Sequence, residues 1–127
     1  MQINILYSEK NKKYYENTQS HLAYLLRKIK IKSVENDLNS TDYLAVIVFI
    51  DVHLFNTDGV LDYLELLKTK KITIYPIKVS PVNEEMNPLK SIKSANPHKN
   101  RNLEEQANDT IYAYISDQII NNIKEKI

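Results

Sequence analysis

The stretch "YLAVIVFI", Tyr43 to Ile50, leaves few architectures open. It carries no charge and no amide, so as a strand it has no wet face and must be covered on both sides. Segments of helical period flank it, which makes it the expected middle strand of a parallel sheet. The same run is far shorter than the roughly 20 apolar residues that cross a bilayer. No membrane partner is expected.

The rest of the chain supplies the elements such a strand needs. "INILYS", residues 3 to 8, reads as a first strand. From Glu9 the apolar positions Tyr14, Thr18, Leu22, Leu25, Leu26 and Ile29 recur at spacings of three and four, predicting a helix from about Lys10 to Arg27. "KIKIK", residues 28 to 32, alternates with period two and reads as a second strand. After Tyr43 to Ile50, Thr57 or Asp58 can cap a short helix that turns Val60, Leu61, Leu64 and Leu67 inward. "KITIYPIKV", residues 71 to 79, is a fourth strand. Its Pro76 cannot donate to a ladder, which places it at or near a sheet edge. A polar, irregular stretch follows. Leu103, Ala107, Ile111, Tyr114, Ile115, Gln118, Ile119, Asn122 and Ile123 then mark one long C-terminal amphipathic helix. The expected fold is α/β and flavodoxin-like, a parallel sheet of about four to five strands with helices on both faces. It forms a single domain over residues 1 to 127.

Composition removes several functions. Cysteine is absent, so there is no disulfide, no thiolate nucleophile and no thiolate zinc site, in keeping with a cytoplasmic setting. Seventeen basic against sixteen acidic residues give a net charge of +1, too little field to attract nucleic acid. The one glycine, Gly59, rules out dinucleotide fingerprints and P-loops, whose backbones approach phosphate through several glycines. His21 and His98 have no acids at ligand spacing, and no metal is expected.

Three stretches in order resemble the TIR (Toll/interleukin-1 receptor) domain family. They are "NILYSEKNKKYYENTQSHLAYLLRKIKIK", "TDYLAVIVFIDVHLFNTD" and "ITIYPIKVSPVNEEMNPLKSI". The first resembles the family's opening strand with its Tyr-Ser step, helix and second strand. The second is similar to the third strand and the Ser- or Thr-Asp step that opens the next helix, and the last to the Ile-Ile-Pro-Ile strand and the irregular segment behind it. Only ten residues, 33 to 42, separate "KIKIK" from the apolar run, and none is glycine. The family's intervening helix is therefore expected to be missing and its glycine-bearing loop shortened.

The resemblance implies a signalling module, in immune or antiphage defence, that works by homotypic assembly with itself or with another TIR-like domain. It also implies an alternative, cleavage of the nicotinamide bond of NAD by a glutamate on the helix after the third strand. A carboxylate suits that task because bond breaking builds positive charge on the ribose. Glu65 is the candidate and Asp62 the second choice, although the family pattern points one or two positions earlier, to Tyr63 or Leu64. Ligands of open parallel sheets sit at the strands' C-terminal ends. That gathers Tyr7, Ser8, Glu9, Asp51 and His53 as candidate ligand-binding residues, with NAD as a possible substrate and no resident cofactor.

Overall fold

A computed structural model describes residues 1–127. Four strands, β1 (Gln2–Leu6), β2 (Lys32–Glu35), β3 (Ala45–Ile50) and β4 (Thr73–Lys78), form one all-parallel sheet in the order β2-β1-β3-β4. The apolar run lies where its composition requires, between β1 and β4, with Ile3 opposite Ala45 and Val48 opposite Pro76. Successive side chains of a strand point to opposite faces, and both faces of β3 are covered. On one face Ala45, Ile47 and Phe49 join Ile3 and Ile5 beneath two long helices, α1 (Lys12–Lys28) and α5 (Asp109–Lys124). On the other, Val46, Val48 and Ile50 meet the short α2 (Val52–Phe55) and α3 (Val60–Thr69). A single-turn helix, α4 (Leu103–Gln106), precedes α5.

Edge placement of the proline strand is borne out. In an extended strand a residue's N–H and C=O point to the same side. The Pro76 carbonyl faces away from β3 and accepts from the Ala95 backbone at 2.8 Å. The missing N–H of Pro76 therefore lies on the side where no strand follows. Two residues on, the Asn96 side chain accepts from the Lys78 N–H at 2.6 Å and donates to its carbonyl at 3.0 Å. A side-chain amide thus closes the open edge in the manner of a further strand, and the irregular stretch is held there.

Three boundaries differ from expectation, each for a local reason. "KIKIK" is not a strand. α1 continues to Lys28, Lys30 adopts φ 59°, and the Ile31 N–H returns to the Leu26 carbonyl at 3.0 Å. This is a Schellman ending with lysine at the position that usually holds glycine, and it moves β2 on to "KSVE". α3 ends the same way at Lys71, φ 58°, with Ile72 bonded back to Leu67. The left-handed backbone costs about 1 kcal/mol without glycine. The isoleucine that follows each lysine offsets it by packing on the core. Neither Thr57 nor Asp58 caps α3. Gly59 does, at φ 83°, and Leu61 points outward. The C-terminal helix is interrupted at Ala107, and Asn108 starts α5 anew by accepting from the Ile111 N–H at 3.0 Å.

Between β2 and β3 the nine residues 36–44 contain no helix, as the short spacing implied. Buried polar groups hold this crossover down. The fully buried Asn4 donates to the Asp37 carbonyl at 2.7 Å and to the Tyr63 hydroxyl at 2.9 Å, and accepts from the Asp37 N–H at 3.2 Å. The Tyr63 hydroxyl donates in turn to the Ser40 carbonyl at 2.7 Å, and Tyr43 donates to the Asp37 carboxylate. Leu38 and Tyr43 complete the apolar layer over β3. A pinned loop does here what a helix would do in a longer chain.

Candidate functional site

The C-terminal ends of β1 and β3 bring Ser8 and Asp51 together, but as structural partners. Asp51 is fully buried and caps α2, its Oδ1 accepting from the Leu54 N–H at 2.6 Å. Its Oδ2 accepts from the Ser8 hydroxyl at 2.9 Å, and Asn11 donates to the same hydroxyl at 3.4 Å. Both carboxylate oxygens are engaged. Glu9 and His53 stay exposed on either side of this cluster.

Tyr7 is held just as firmly. Its ring stacks on Tyr15 with centroids 4.1 Å apart, and its hydroxyl donates to Glu35 Oε2 at 2.9 Å while Tyr15 donates to Oε1. One carboxylate at the end of β2 thus ties β1 to the start of α1. Neither ring face that meets in the stack is free for a ligand. Desolvation, with the Glu35 hydrogen bond second, pushes the Tyr7 phenol up to about 12, and Tyr15 rises for the same reasons. A folded-state value above the unfolded one, near 10, means that the protonated phenol is the stabilised form. That stability is fully present below about pH 10 and is lost as the pH climbs through about 12. Alkaline unfolding followed by circular dichroism should therefore show the denaturant midpoint falling over this window, and falling less in Glu35→Gln.

Glu65 lies elsewhere. α3 starts at the strands' C-terminal side and runs back along the sheet. At 1.5 Å per residue, Glu65 sits about 8 Å down from the helix start. Its side chain is 61% exposed and pairs with Lys68 at 3.6 Å. It lines a shallow groove with Leu61, Met86 and Pro88, none of which belongs to the Ser8–Asp51 cluster. Asp62 is exposed in the first turn of the same helix. The earlier position in the family pattern, Tyr63, points inward onto Asn4. The structure therefore brings together Tyr7, Ser8 and Asp51 but not the two candidate catalytic carboxylates.

A further cavity lies in a part of the chain where no site was expected from the sequence. A cleft of about 630 Å³ opens between the irregular segment 84–99, the ends of β3 and β4, and the outer side of α5. It adjoins a smaller cavity of about 270 Å³, and the two share Ile50, Lys78, Glu84, Asn87 and Lys99. The signal was present in the composition. From Asn87 to Leu103 there are three lysines and an arginine but no carboxylate. No three His, Cys, Asp or Glu side chains converge as metal ligands, and no helix is long and apolar enough to cross a membrane. Comparison with protein-family models, with curated proteins and with solved structures found no match.

Proposed function

We propose that this chain is a TIR-like signalling module, of the kind used in immune or antiphage defence, that acts by homotypic assembly and does not itself cleave NAD. The observation that carries this reading is the engagement of both Asp51 oxygens inside the crevice, with Glu65 outside it. A glycosidic cleavage needs an unoccupied carboxylate facing the ribose. Asp51 is not free to serve, and the one unpaired carboxylate beside the crevice, Glu9, is exposed to solvent at its rim.

Assembly is supported by the outer face of α3. Leu61 is 37% exposed there and Met86 beside it 62%, while Leu66, 44% exposed, lies about 140° further round the helix. Glu65 and Lys68 stand among them, one of each sign. Such a patch is complementary to a second copy of itself across a two-fold axis, where each glutamate meets the other copy's lysine. Sedimentation of the concentrated protein should show a reversible dimer that Leu61→Asp/Leu66→Asp abolishes. A native chain that stays monomeric at millimolar concentration would refute homotypic assembly through this face.

A further inference from the structure

The cleft beside β4 has the chemistry of a ligand site. Lys78, Lys90, Lys93 and Lys99 line it. The molecule's two ion pairs are Lys12–Glu16 and Lys68–Glu65, so all four cleft lysines lack a carboxylate partner. Glu84 is the one acid on the wall of the larger cavity, and it is exposed. Lys90, Lys93 and Lys99 are exposed and Lys78 is half-buried, so the wall of the concavity carries a net positive charge that favours an anion. Lys78 and Lys99 line both cavities, and although Glu84 is shared too and Glu105 lines the smaller one, the lysines and Arg101 outnumber these acids where the two cavities meet.

Two further groups indicate what the anion is attached to. Gln118 Oε1, on the α5 wall of the larger cleft, is a buried acceptor with no hydrogen-bond partner. Asn102, only 7% exposed, lines the smaller cavity. Its Nδ2 donates to Glu105 at 3.1 Å, while its Oδ1 has no partner. A buried acceptor left unpaired is costly, and each of these side chains, turned toward its cavity, can take a donor such as a sugar hydroxyl or an exocyclic amine. The exposed ring of Tyr114 lies one helical turn from Gln118 on the same wall and offers a planar surface. The cavity volume falls in the range of small-molecule sites.

We infer that this cleft binds a nucleoside phosphate, with the phosphate between Lys78 and Lys99, hydroxyl or amino donors on Asn102 and Gln118, and the base against Tyr114. The site is separate from the Ser8–Asp51 crevice and from the α3 face, and it stands independently of the assembly reading.

Calorimetric titration with adenosine monophosphate, ribose 5-phosphate, inorganic phosphate and adenosine tests it. Adenosine monophosphate should bind, more weakly as salt rises, and each of the other three at least about tenfold more weakly. Lys78→Gln/Lys99→Gln should weaken it by about tenfold or more at an unchanged melting temperature, whereas Lys10→Gln/Lys12→Gln should leave it alone. Tyr114→Ala should reduce affinity for adenosine monophosphate but not for ribose 5-phosphate. No heat with adenosine monophosphate at millimolar concentration, or equal binding by the lysine double variant, would overturn the site. Ribose 5-phosphate or inorganic phosphate binding as tightly as the nucleotide would overturn the nucleoside assignment.

Discussion

Asn4→Ala should lower the unfolding free energy by about 3 kcal/mol and the melting temperature by roughly 10 °C. Asn4 is a fully buried amide between the apolar Ile3 and Ile5, and it makes three hydrogen bonds to two different elements. Alanine removes all three and leaves the Asp37 N–H and C=O without their partner. An orphaned buried group costs more than the net value of the bond it lost. The crossover 36–44 has no helix of its own to hold it, so its attachment to the sheet depends on Asn4, Tyr63 and the Tyr43–Asp37 bond. Amide exchange at Asp37 should accelerate in the variant by more than exchange in α1 or α5. A loss below about 1 kcal/mol, or an unchanged Asp37 amide, would mean that the crossover is held by Leu38 and Tyr43 packing alone.

Asp51→Ala should cost about 2–3 kcal/mol, and Asp51→Asn less than about 1 kcal/mol. Alanine strips the cap from α2 and leaves the Leu54 N–H and the Ser8 O–H without an acceptor in a buried site. Asparagine keeps an acceptor for Leu54 and presents an amide donor to Ser8, whose hydroxyl accepts as readily as it donates. The pair of variants separates structure from chemistry. If Asp51 served as a catalytic base or a ligand-charge partner, asparagine would retain the fold and lose function. If it serves as a cap, asparagine retains both. Chemical denaturation of the two variants beside the native chain gives the comparison directly.

How far the sequence could be read depended on what each feature was. The central strand was legible because burial on two faces requires an unbroken apolar run, and Tyr43 to Ile50 is one. Pro76 announced the edge because a missing donor is a chemical fact that no context reverses. Helix ends were harder to read. Lys30 and Lys71 take a conformation that glycine usually signals, so nothing local separated the last turn of α1 from a strand, and the alternation in "KIKIK" prevailed. Strand-end proximity of Ser8 and Asp51 followed from parallel topology. Their engagement with each other and with α2 could not be seen without coordinates, since either side chain alone suits a ligand equally well. Glu65 was chosen by position along a helix, and orientation around the helix decided its place. The basic cleft was missed because its lysines are divided between the end of β4 and the irregular stretch behind it, where no period draws attention to them.

We propose that the crevice at the ends of β1 and β3 is structural and that the chain signals without cleaving NAD. Nicotinamide release from NAD by the concentrated native protein, with a crowding agent to favour assembly and Glu65→Ala alongside, tests it most directly. No release above the buffer rate is expected from either protein. Release by the native chain that Glu65→Ala abolishes would contradict the claim and place a catalytic carboxylate on the outer face of α3.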